Sequence, residues 1–139
     1  MRLASSDFRS LDLRTEEVDL TDVWHDAPAG EKVTVVVREM SGHDRGIMQE
    51  RITELHSGGR VSVKMVDQLA IVAKLCTIGE DGAKLFADWD EAELSREVSA
   101  AVLSRISEVA LRLSGIGSDQ AAAAEGNSDA APSGELSLP

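Results

Sequence analysis

Residues Thr77 to Asp88, TIGEDGAKLFAD, gather acidic side chains around a central glycine, as a calcium loop does. An EF-hand loop needs oxygen ligands at positions 1, 3, 5 and 12, with glycine at 6. Taking Gly82 as that glycine puts Asp81 at position 5 and Asp88 at 12, but leaves Thr77 at 1 and Gly79 at 3. Glycine has no side-chain oxygen, and the remaining carboxylates are too few for a hard divalent cation. The stretch reads better as a turn. Asp81-Gly82 is a tight-turn dipeptide, because glycine supplies positive φ without steric cost. Short apolar flanks, Cys76/Ile78 before it and Leu85/Phe86 after it, are placed to pair across the turn. No metal ligand is assigned.

Other reactive groups fare no better. His25, His43 and His56 share no ligand spacing, and Cys76 has no CxxC partner. His43-Asp44 resembles an oriented imidazole but falls in a first helical turn, where polar side chains cap or solvate. Cys76 lies in an apolar helical run, where burial raises a thiol pKa and removes its nucleophilicity. The carboxylate pairs Glu16/Glu17 and Asp90/Glu91 adjoin loop or exposed helix. GIGSD at 115–119 follows a helix instead of opening one and has no lysine after it, unlike a phosphate loop. No catalytic or cofactor-binding residue is assigned, no cofactor is expected, and association is expected in place of catalysis.

Composition narrows the partners. The chain has 139 residues, which suggests one domain, and a net charge of −11 from 14 basic and 25 acidic side chains. Phosphate backbones and anionic membranes both require basic clusters, and no basic run occurs, so neither nucleic acid nor membrane is expected as a partner. Aromatics make up 3% and tyrosine is absent, which disfavours base or sugar stacking. A lone cysteine fits a reducing compartment. No stretch combines basic residues with an apolar core like a signal peptide, and no apolar run reaches the ~20 residues of a membrane span. An acidic, soluble, intracellular protein is expected.

The elements that must carry any surface follow from periodicity. Residues 1–12, MRLASSDFRSLD, show no clear period and are read as a loosely held leader. RTEEVDLTDVW alternates through Val18 and Leu20, and KVTVVVREM runs through Val33, Val35, Val36 and Val37, with Pro28 and Gly30 between them. That pattern predicts a β-hairpin, which is marginal alone and must pack on something. SGHDRGIMQERITELH predicts a helix with Ser41 and Asp44 at capping-box spacing and SGG at 57–59 as its end. SVKMVDQLAIVAKLCTI is apolar nearly all round, from Met65 and Val66 to Leu75 and Cys76, which marks a central helix. Asp88 and Glu91 have capping-box spacing and open DWDEAELSRE. The last helix carries Val102, Ile106, Val109 and Leu113 on one stripe, a Glu108–Arg112 pair outside, and Gly115 as C-cap. Trp24 and Trp89 are expected to anchor the hairpin and the third helix to the core. The fold class is therefore α+β: an N-terminal hairpin packed on about four helices, a single domain over 13–116. No Lys or Arg follows Arg112, and 117–139 is read as a disordered, acidic Ala/Gly/Ser-rich tail.

The order of parts resembles a known family. EEVDLTDVW, VTVVVREMSG, KLCTIGEDGAKLF, SAAVLSRISEVALRLSGI and EGNSDAAPSG, in that order, are similar to the tail assembly chaperones of long-tailed bacteriophages and prophages, especially those of actinobacterial hosts. The likeness covers roughly residues 13–134 and rests on the combination, since no one motif is diagnostic. It departs in the first helix, where Gly46 and Met48 stand at positions that often carry an aromatic. The resemblance implies a non-catalytic factor of the host cell cytoplasm, absent from the mature virion. It implies binding to the long helical tape measure protein until tail tube subunits polymerise around it. A longer, frameshifted product that recruits tail tube protein, and weak self-association into a ring or spiral, are implied as well. The family has no catalytic motif, so no site residue is carried over. The alternative is a structural tail or connector subunit of the virion, which would show more strands and long hairpin loops. An enzyme or metal sensor comes third.

Overall fold

In the computed structural model, which describes residues 1–9 and 12–116, the two alternating runs pair as strands. β1 (Thr15–Asp19) and β2 (Thr34–Arg38) are antiparallel, with Val18 opposite Val35 and Glu16 opposite Val37. Opposed residues share a face, so Val18, Leu20, Val35 and Val37 all turn inward; Val18, Leu20 and Val37 are buried. Pairing continues past the strand end, where the Leu20 N–H donates to Val33 O at 2.7 Å before a short 3-10 turn, Thr21–Val23.

α2 (Gly42–Ile52) begins as its sequence dictates: Ser41 Oγ accepts from the Asp44 N–H at 3.1 Å. The capping box stays half made, because the Asp44 carboxylate takes Lys84 Nζ at 2.8 Å instead. The helix does not run on to the SGG. It stops at Ile52, and β3 (Thr53–Leu55) pairs with β4 (Val61–Val63) in a second hairpin. Two consecutive glycines at positive φ, Gly58 at 92° and Gly59 at 84°, reverse the chain. The Lys64 N–H returns to the Ile52 carbonyl, so the hairpin satisfies a group that the helix end leaves free.

α3 (Gln68–Cys76) is the central helix, with Ala70, Ile71, Val72, Ala73, Leu75 and Cys76 all buried. It starts later than its apolar run: Met65 and Val66 precede it and are 57% and 74% exposed. β5 (Thr77–Ile78) follows directly and adds a third strand, in the order β1-β2-β5. The Asp81-Gly82 turn closes as expected. Ile78 bridges Lys84, the Leu85 N–H donates to Thr77 O at 2.8 Å, and Gly82 has φ of 82°.

α4 (Glu91–Glu97) is capped by Asp90, whose Oδ1 accepts from the Ala92 N–H at 3.1 Å; the expected cap, Asp88, lies exposed in the preceding turn. That turn is held by Trp89, which packs edge-on against Phe86 at 6.0 Å between ring centroids. α5 (Ala100–Leu113) buries the whole Val102–Ile106–Val109–Leu113 stripe. It ends in a Schellman motif: Gly115 has φ of 78°, its N–H reaches Arg112 O, and the Ile116 N–H reaches Leu111 O at 2.7 Å. Ile116 is itself buried, so the core runs to the cap.

The architecture is α+β, as expected. The leader holds a five-residue helix, α1 (Ser5–Arg9), with no buried residue. The tail expected over 117–139 lies outside the described residues. Among the described residues, no helix is long and apolar enough to cross a membrane.

Candidate interaction surfaces

Most of the chemically suggestive residues have a structural occupation. In the turn, Asp81 Oδ1 accepts from the Ala83 N–H at 3.0 Å, an Asx arrangement that fixes the loop. His56 Nε2 lies 2.6 Å from Ser62 Oγ across the second hairpin. His25 and His43 are exposed on separate elements. Glu16 is reached by Arg112 at 2.8 Å, so Arg112 grips β1 in place of Glu108 on its own helix. Glu91 pairs with Arg51 at 3.7 Å. Among the described residues, no group of three or more His, Cys, Asp or Glu side chains is placed to hold a metal ion. Cys76 is fully buried, and desolvation, followed by the nearby Asp44 charge, pushes its thiol up to about 12. At neutral pH it is a protonated, inert hydrophobe.

One polar cluster is internal. Asp44 is 4% exposed and meets Lys84, whose side chain is 32% exposed, at 2.8 Å. The Thr77 hydroxyl and the Arg38 Nε are also buried, without a hydrogen-bond partner. The pair ties the start of α2 to the far side of the Asp81-Gly82 turn. It acts as a structural bolt between the two.

Two apolar features of the described surface adjoin hollows. The first comprises the start of β4 and the entry to α3, where Val61, Met65, Val66 and Leu69 are exposed. Beside it, Met65, Leu69, Ala100 and Leu103 line a hollow of about 210 Å³. The second is a groove of about 240 Å³ between the 3-10 turn and the α4–α5 junction. Val23, Val98 and Val102 line it together with His25, Asp26 and Glu97, and Trp24, also in the lining, is 47% exposed. Trp24 is therefore no anchor to the core, whereas Trp89 is half-buried against it.

The wall of the groove is braced. Arg105 Nη1 reaches Asp22 Oδ1 at 2.5 Å and Nη2 reaches Oδ2 at 3.1 Å, a two-pronged contact from α5 to the 3-10 turn. The bond to Arg105 holds the Asp22 carboxyl below its ordinary range and raises the guanidinium. Thr21 likewise holds Asp19 low, by its hydroxyl and then its N–H. The exposed apolar surfaces were invisible to periodicity, because Met65 and Val66 continue the pattern of the helix they precede. The only signal was local: two glycines between β-branched flanks mark a hairpin. No family model, curated protein or solved structure matches this chain.

Proposed function

We propose that this protein is a non-catalytic assembly chaperone that coats an elongated helical client, in the manner of the phage tail assembly chaperones its sequence resembles. The client is the tape measure protein, and the coat keeps it soluble until tail tube subunits assemble around it. The supporting observation is the run of exposed apolar side chains Val61, Met65, Val66 and Leu69, from β4 into α3, on a chain of net charge −11. Exposed apolar patches mark association surfaces. Methionine and aliphatic side chains suit a coat that must accept a long helix of changing sequence, because they adapt their shape and read no hydrogen-bond pattern. The net charge keeps the unloaded protein dispersed.

The protein acts in the host cytoplasm and is left out of the virion. A frameshifted long form recruits tube protein, with its join between Ala121 and Pro139, outside the described residues. There the slip would spare the Val102–Leu113 stripe in every copy.

Co-expression with the tape measure protein provides the test. Met65→Glu/Leu69→Glu changes only exposed side chains and should send the client into the pellet while the variant itself stays folded. A client equally soluble with wild type, with the variant and with neither would refute the proposal. A structural virion subunit gains some support from β3, β4 and β5, which exceed the two strands expected, although they have only two or three residues each. Finding the chain in purified particles would favour that alternative.

A further inference from the structure

Residues 1–9 are the least employed part of the described chain. All nine are exposed, α1 buries nothing, and Leu3 and Phe8 are 50% and 67% exposed. A helix of five residues is far below the ~12–15 at which an isolated helix becomes even marginal in water, so α1 lacks the packing surface that would hold it. The segment is also basic in an acidic molecule: Arg2 and Arg9 outweigh Asp7, against a net charge of −11 for the whole.

The Trp24 groove has the opposite character. Val23, Val98 and Val102 give it an apolar lining, Asp26 and Glu97 line it too, with His25, and no Lys or Arg does. Arg105, which braces the neighbouring turn, is committed to Asp22. An exposed tryptophan beside an apolar pocket is the usual anchor of a protein interface and offers its ring face to a cation.

We propose that the segment Met1–Arg9 of one copy docks in the Trp24 groove of the next, with Phe8 on the Val23/Val98/Val102 lining and Arg9 or Arg2 against Asp26 and Glu97. Charge selects this occupant over the other unassigned part of the chain: 117–139 contains Asp119, Glu125, Asp129 and Glu135 and no Lys or Arg, so Asp26 and Glu97 repel it. Donor segment and acceptor groove are different surfaces, so the contact is head-to-tail and repeats from copy to copy. The inference rests on the proposal that copies line up along a client, and it names the joint between them.

Sedimentation velocity of the full chain over a concentration series near 0.15 M salt tests it. Wild type should grow beyond dimer. Phe8→Ser, with a dead segment, and Trp24→Ala, with a dead groove, should each raise the concentration for half-association by about tenfold or more. Mixed in equal amounts, the two variants retain one good segment and one good groove, and should form a dimer that grows no further. Both side chains are exposed, and thermal melts matching wild type will confirm that folding is intact. A synthetic peptide of residues 1–9 should also quench or shift Trp24 emission and compete with association, and should do neither with Trp24→Ala.

Association that neither variant weakens would overturn the docking but leave the repeating coat standing, its joint lying elsewhere. A strict monomer at every concentration, with no response to the peptide, would overturn both. Two variants that fail to pair when mixed would overturn the head-to-tail geometry.

Discussion

Replacing Lys84 by Met should destabilise this protein far more than its position in a turn suggests. The substitution keeps the length and apolar stem of the side chain but removes the ammonium 2.8 Å from Asp44. The Asp44 side chain is 6% exposed, so its carboxylate would be left without its cation or adequate water. Removing one member of a fully buried pair costs about 3–5 kcal/mol. Two features reduce that here. The Lys84 side chain is 32% exposed, so solvent already screens the pair and can partly replace the cation. Asp44 also lies in the first turn of α2, where the helix dipole favours a negative charge by about 0.3–1 kcal/mol. A loss of about 2–3 kcal/mol remains, and for a body of about 100 residues it lowers Tm by roughly 10–15 °C. Asp44→Asn added to Lys84→Met removes the stranded charge and should recover at least half of the loss. Urea and thermal unfolding followed by circular dichroism measure both. A single variant within about 0.5 kcal/mol of wild type, or a double variant no better than the single, would show that the pair is not the bolt described.

Two glycine substitutions should move stability in opposite directions. Gly115→Ala puts a Cβ on a backbone at φ of 78° and should cost about 1 kcal/mol, although the site has open space. Gly46→Ala, inside α2 and equally unobstructed, should stabilise by about 0.5–1 kcal/mol in the same melts. Cys76 should ignore a thiol reagent at pH 8 in the folded protein and react fully in denaturant. Its thiol titrates near 9.0 when unfolded and near 12 when folded, so the unfolded state releases its proton first. Stability from this group is fully present below pH 9 and falls between pH 9 and pH 12 by up to about 1.4 kcal/mol per pH unit. Cys76→Ala should lack that slope, and an equal alkaline slope in both proteins would disprove the assignment.

Periodicity was informative where one face of an element is buried and the other wet. The hairpin registers through Val18, Leu20, Val35 and Val37, and α5 buries the four stripe residues named from spacing alone. Gly115 was legible as a cap because few residues tolerate its φ. Periodicity failed at short elements. β3, β4 and β5 span two or three residues each, less than one readable alternation, and β5 continues an apolar helix without a break. Polar pairings were only partly legible, for a different reason: spacing found the Ser41 cap on the Asp44 N–H, but the Asp44 carboxylate and Arg112 took Lys84 and Glu16 from distant elements in place of Ser41 and Glu108. The surfaces were the least legible part. Whether Trp24, Met65 or Val66 faces the core or the solvent depends on where α3 and α5 begin, and caps decide that at the resolution of one residue.

The bonds that close α5 over the first hairpin span most of the described chain. Met40 N to Ser114 Oγ bridges 74 positions, Arg112 to Glu16 bridges 96, and Arg14 to the Leu113 carbonyl bridges 99. During synthesis the hairpin therefore leaves the ribosome well before its cover does. Roughly sixty residues separate β2 from α5, an interval of about 3–12 s at ~5–20 residues per second. Through that interval Val18, Leu20 and Val37 have no lid. The acidic edge of β1, with Glu16, Glu17 and Asp19, is what discourages a neighbouring nascent chain from adding a strand there. A protein proposed to shelter another chain during assembly thus has its own unsheltered period, and the charges on its first strand bridge it.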